Sequence, residues 1–190
     1  MPNEIIILLL PLSVIFVAYI LFFIARVKKC PSDKIMVIYG SVGVNKDGEK
    51  VSARCLHGGA RFIIPVIQGC RFLDLTPISI GVDIKQALSG QNTGIDILGR
   101  FTVAISTEPG IMENAAERLL GLNSAEIEEL AREIIFGQLR LAIAVRGLEE
   151  IDADRDMFLE GVCRNTEIIL RQIGLRLINV NLASVNLSLE

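Results

Sequence analysis

The chain has no tryptophan, two tyrosines and a single histidine among its 190 residues. A Ser-His-Asp or Cys-His catalytic arrangement would therefore have to use His57. His57 lies in a glycine-rich stretch, LHGG, where an exposed polar ring is tolerated, so we expect no catalytic role for it. The four cysteines lack C-x-x-C spacing, which indicates free thiols in a reducing compartment. The sequence predicts neither an enzyme nor a metal or cofactor site.

Three other features exclude further classes of ligand. No run of Lys or Arg is present and the sequence pI is near 5.3, which argues against nucleic acid as a partner. The segment GSVGVNKDG lacks the GK[ST] ending of a phosphate-binding loop. The D-x-D-x-D pattern that begins at Asp152 has Met157 and Cys163 where an EF-hand needs glycine and glutamate. An acidic first turn of a helix explains these aspartates better.

What the sequence does have is a long apolar run at its start. Residues 5–25 contain no charge and are numerous enough to cross a hydrocarbon core of roughly 30 Å as a helix. A cleaved signal peptide is the alternative, but the segment before the run has no Lys or Arg and no A-x-A site follows it. We predict an uncleaved membrane span that includes Ile5, Leu10, Pro11, Phe16, Tyr19, Phe23 and Ala25.

The flank of this span predicts its orientation. Arg26, Lys28 and Lys29 follow the span, whereas only Glu4 precedes it. The positive-inside rule then places the N-terminus outside the cell membrane and the rest of the chain in the cytoplasm. Cys30 lies just past this boundary, where a thiol is either S-acylated or left unmodified.

After residue 30 the pattern changes from β to α. Short strands are predicted over 34–40, 50–56, 60–64, 70–75, 77–84 and 95–106, and helices over 109–120, 124–147 and 152–173. The last alternating segment, 175–185, predicts a closing strand. The fold class is therefore α+β with antiparallel strands. We divide the chain into an anchor (1–29), a β-rich subdomain (30–107) and an α/β subdomain (108–190).

Several motifs in this order resemble the SPFH (band 7) superfamily, most closely flotillins of the bacterial type. They are PSDKIMV from Pro31, HGGARFIIPVIQ from His57, AAERLLG from Ala115, AREI through GQLR from Ala131, and LEEI with DRDMF from Leu148. Leu119 stands where flotillins usually have Phe. Flotillins continue past the closing strand into a coiled coil, so a chain that ends at Glu190 is either a fragment or a short member.

The resemblance implies a function and partners. It implies a membrane scaffold that assembles with copies of itself, contacts lipid and organises membrane microdomains, in a prokaryotic inner membrane. Implied partners are NfeD-type membrane proteins and membrane proteases. The alternative is an adaptor subunit that controls a membrane protease.

The resemblance also points to two surfaces. The segment Phe62, Ile63, Ile64, Pro65, Val66 and Ile67 is either an apolar edge facing lipid or a core strand with an edge proline. Contacts between neighbouring copies are expected at Glu149, Glu150, Asp154, Arg155 and Asp156, whose other interpretation is helix capping and surface charge.

Overall fold

In a computed structural model, the backbone of the chain is described over residues 2–40, 53–64, 67–91, 93–145 and 154–187. Side chains are described in the same ranges from residue 14 to residue 186. The chain forms two compact units, Met1–Phe72 and Leu73–Glu190.

The first unit begins with helix α1, Pro2–Ala25. Its 24 residues include no Asp, Lys or Arg, and the described side chains from Val14 to Ile24 are exposed and mostly large and apolar. Among the residues whose side chains the structure describes, to which α1 contributes only residues 14–25, no helix is long and apolar enough to cross a membrane. The side chains of Ile5, Leu10 and Pro11 lie outside the described residues.

Two small sheets complete the first unit. Strands β1 (Val27–Lys29) and β4 (Ala60–Phe62) form a two-stranded ribbon. Strands β2 (Lys34–Gly40), β3 (Ala53–His57) and β5 (Gln68–Asp74) form a sheet in the order β3-β2-β5. The apolar, β-branched run of β2 is buried on both faces and supplies Met36 and Ile38 to a core with Cys30 and Ile63.

A tight turn carries the chain from one sheet to the other. Gly58 and Gly59 connect β3 to β4 with φ of 77° and 84°. Glycine adopts this left-handed region without the steric strain that a side chain causes. The two glycines of HGGARF therefore separate strands that pair with different partners.

The second unit is built on a three-stranded antiparallel sheet. It consists of β6 (Ile78–Leu88), β7 (Gly94–Ile105) and the closing strand β8 (Leu175–Leu187), with β7 in the centre. Alternate residues of β6 are buried, as the sequence pattern predicts for a sheet with one covered face. The unit boundary within β5 groups β6 and β7 with the helical segment.

Three described helices accompany this sheet: α2 (Ile111–Arg118), α3 (Ser124–Val145) and α4 (Arg155–Gln172). Helix α3 packs on β6 and α4, and α4 also packs on β8. Buried residues of α3 recur every four positions: Ile127, Ala131, Ile135, Leu139 and Ile143. The predicted α+β class, with antiparallel strands, helices and a closing strand, is confirmed.

Candidate membrane-contact surface

Aromatic side chains join the end of α1 to the β1–β4 ribbon. The ring of Phe23 stacks on that of Phe62, with centroids 4.8 Å apart and planes inclined by 22°. Tyr19 lies one helical turn earlier, 5.4 Å from Phe23. The guanidinium carbon of Arg26 lies 4.7 Å from the centre of the Phe22 ring. Because all four rings and the Arg26 side chain are at least partly exposed, they form an amphipathic surface at the helix terminus.

The ribbon itself is held by hydrogen bonds beyond its three residue pairs. Its register places Val27 opposite Phe62 and Lys28 opposite Arg61. At one end the Ile63 N–H donates to the carbonyl of Arg26 (3.3 Å), and at the other the Cys30 N–H donates to the carbonyl of Gly59 (2.8 Å). A single residue, Arg26, thus separates α1 from the ribbon, and the register of the ribbon is defined.

The residues of the segment FIIPVI have different environments. Phe62, Ile64 and Ile67 are 37%, 46% and 50% exposed, whereas Ile63 is 7% exposed and belongs to the core. Gln68 closes the turn, because its side-chain oxygen accepts from the Ile64 N–H and its own N–H donates to the Ile64 carbonyl. Pro65 and Val66 lie outside the described residues. The core interpretation fits Ile63, and lipid contact stays a prediction for the exposed residues.

Cys30 is buried rather than displayed at the membrane boundary. Its side chain is 7% exposed, and its thiol lies 3.2 Å from the Lys34 carbonyl and 3.4 Å from that of Leu56. Acylation of this thiol stays a prediction. It would require the thiol to leave the core, since an acyl-transfer enzyme needs access to the sulfur.

The residues expected at contacts between copies lie around the start of α4. Asp154 caps the helix by accepting from the Met157 N–H (3.0 Å), and Arg155 donates to the Leu182 carbonyl of β8 (2.6 Å). Asp156 is exposed, and Glu149 and Glu150 lie outside the described residues. Asp154 and Arg155 therefore have structural roles within one copy, and a role of this surface between copies stays a prediction.

Nothing in the described part of the chain points to catalysis. Burial raises the pKa of the Cys163 thiol, and the Glu167 carboxylate raises it further, which is the opposite of what activates a nucleophilic cysteine. His57 is exposed at the end of β3. The described residues include no cluster of three His, Cys, Asp or Glu side chains suited to a metal ion.

The chain has a mixed α+β fold, in which antiparallel strands are followed by helices and a closing strand. Its described residues include no arrangement that indicates catalysis. The chain belongs to the SPFH domain / Band 7 family, whose profile matches residues 28–190. It is 26% identical over 177 residues to the Flotillin-like protein FloT of Bacillus subtilis, which covers 90% of this chain and 34% of that protein. It is 28% identical over 130 residues to human Flotillin-1, which covers 68% of this chain and 30% of that protein. The chain thus spans about a third of the length of these relatives.

Sequence reasoning misses one element of this surface. The pattern of residues 27–29 indicates only a charged flank, yet these residues form β1 and bring Lys28 opposite Arg61. A three-residue strand is too short for its alternation to be recognised, and its partner lies more than thirty positions further along the chain.

Proposed function

We propose that the chain is a membrane-anchored scaffold whose first unit lies against the bilayer and whose copies assemble side by side. The observation that carries the proposal is the continuity of α1 with an exposed apolar and aromatic surface, in a chain of the SPFH family. A helix of 24 residues is about 36 Å long, enough for a hydrocarbon core of roughly 30 Å. We propose α1 as the span, with the N-terminus outside and Arg26, Lys28 and Lys29 on the cytoplasmic side.

Exposed apolar side chains beside the span support contact with the bilayer. Phe62, Ile64 and Ile67 lie at and after the end of the ribbon strand β4, and Phe62 is stacked on the last turn of α1. If α1 crosses the membrane, this turn lies at the interface, where aromatic rings are favoured. Burial of each such side chain in lipid contributes about 1.5 kcal/mol or more.

Because the chain has no tryptophan, one introduced indole reports membrane contact without background. We propose Ile64→Trp in the full chain, reconstituted into vesicles that contain phosphatidylcholine with brominated acyl chains. Strong quenching of the introduced indole supports contact at acyl-chain depth. The matched control is Leu98→Trp, which replaces a similarly exposed apolar residue of the second unit. Quenching of the two reporters to the same small extent contradicts membrane contact by the first unit.

Assembly is tested separately, by the mass and shape of particles extracted in mild detergent. Light scattering and negative-stain imaging that show rings or cages of many copies support the scaffold. A monomer or dimer that copurifies in fixed ratio with one membrane protease favours the adaptor instead. Asp156→Lys reverses an exposed charge at the proposed contact and leaves the Asp154 cap in place, so the scaffold predicts smaller particles for this variant.

A further inference from the structure

The charge of the chain is unevenly divided between its two units. Residues 26–72 contain nine Lys or Arg and three Asp or Glu, whereas residues 73–190 contain ten and eighteen. The small negative charge of the whole sequence hides this difference. The part of the first unit that follows the helix is therefore strongly basic, which favours an anionic surface as its partner.

Within this basic segment, the ribbon places two cations directly opposite each other. Lys28 and Arg61 are register partners, so their Cβ atoms lie on the same face at roughly 4.5–5.5 Å. Both side chains are exposed. Like charges in this position repel each other and destabilise the pair unless an anion lies between them. Neither cation forms an ion pair with a carboxylate that the structure describes.

The other face of the ribbon is apolar only next to α1, because the last pair on that face joins Ala60 to the exposed Lys29. Val27 and Phe62 are opposite each other, are 43% and 37% exposed, and alternate with the cationic pair along the two strands. An element with an apolar pair beside exposed cations lies in a membrane interface, with the apolar pair toward the acyl chains and the cations at the level of the phosphates. The short ribbon is therefore amphipathic in the sense that such an interface requires.

We propose that Lys28 and Arg61 form a binding site for the headgroup of an anionic phospholipid. The inference rests on the proposed contact between the first unit and the bilayer. A phosphate between the two side chains would remove their repulsion, and the guanidinium of Arg61 would bind two phosphate oxygens through parallel N–H donors. The site would recruit anionic lipid around each copy of the chain.

The test measures which lipid surrounds the ribbon, with the Ile64→Trp reporter in the full chain. Two vesicle preparations contain the same mole fraction of brominated lipid, as phosphatidylglycerol in one and phosphatidylcholine in the other, with identical total headgroup composition. The ratio of quenching efficiencies gives the enrichment of the anionic lipid near the introduced indole. A cation near an anionic surface is worth about fivefold in affinity, so we expect an enrichment of about fivefold or more.

Paired variants then locate the site. Lys28→Gln with Arg61→Gln is expected to bring the enrichment close to one. Arg54→Gln with Arg71→Gln removes the same charge from exposed positions on β3 and β5 and should leave the enrichment nearly intact. In about 1 M salt, where the screening length is about 3 Å, enrichment in the reporter chain should fall sharply. This salt measurement needs no variant of the ribbon.

Each other outcome overturns the proposal. Equal quenching by the two brominated lipids means that the ribbon contacts the bilayer without a headgroup site. Equal loss of enrichment in both paired variants means that the net charge of the unit acts, not the opposed pair. If neither brominated lipid quenches the introduced indole, membrane contact is absent and the proposed function fails with the inference.

Discussion

Gly174, which ends α4, lies where three elements of the second unit meet. Its φ is 89°, in the left-handed region, and its carbonyl accepts a hydrogen bond from the Ser106 N–H at 3.0 Å. A Cβ at this position would overlap the nitrogen and the Cα of Ala115, both backbone atoms of α2. Since backbone atoms of a packed helix cannot move aside alone, Gly174→Ala must displace α2 relative to the end of α4.

The free-energy change of Gly174→Ala has two parts. An L-residue with strained positive φ costs about 1–3 kcal/mol. Displacing packed neighbours adds about 1–3 kcal/mol. The total of about 2–6 kcal/mol is a large part of the roughly 5–15 kcal/mol by which domains are stable.

Gly110→Ala is the matched control, because Gly110 has the same φ of 89° and no atom lies within 4 Å of the position that a Cβ would take. Gly110→Ala should lower the free energy of unfolding only by the part that comes from the strained positive φ, about 1–3 kcal/mol. The assay is urea unfolding followed by circular dichroism at 222 nm, in mild detergent. Equal losses of stability in the two variants would refute the reasoning that close contact with Ala115 makes Gly174 irreplaceable.

Two further predictions concern α4. Arg155→Ala removes the hydrogen bond to β8 and should lower the free energy of unfolding by about 1–3 kcal/mol. Arg164→Ala, the control, removes an exposed ion pair and should lower it by less than about 1 kcal/mol. Equal midpoints of the two variants in thermal melts would contradict this difference. Glu167→Gln should lower the pKa of Cys163, because it removes the carboxylate that helps to hold the thiol protonated. Alkylation of this thiol at about pH 8.5, near the ordinary pKa of cysteine, should then be faster than in the parent chain when measured by peptide mass spectrometry. Glu160→Gln is the control, and an unchanged rate in Glu167→Gln would exclude the electrostatic effect.

Much of the second unit is predictable because its sequence patterns are long. In helix α3 the buried positions repeat along most of the helix, and in β6 buried and less buried residues alternate along most of the strand. Each pattern therefore identifies both the type of element and its buried face. The third helix is predicted to end at residue 173, and the positive φ of the following Gly174 agrees with that prediction. These features depend on local spacing alone.

The first unit is less predictable because its key contacts are short or distant in sequence. The ribbon strand β1 has three residues and pairs with a strand some thirty positions away. In FIIPVI, strand alternation ends at Phe62, so the pattern cannot tell that Ile63 is buried while Ile64 is exposed. From its charge alone, Arg155 is assigned to a surface between copies. Its hydrogen bond to β8 could be predicted only if the position of that distant strand were known.

No flexible linker separates α1 from the ribbon. Only Arg26 separates the last residue of the helix from the first residue of β1, and its carbonyl is bonded to the Ile63 N–H. The stacked rings of Phe23 and Phe62 add a second connection across the same point. These contacts couple the orientation of the ribbon to that of α1, so if α1 spans the bilayer as proposed, a change in its tilt would turn the ribbon with it.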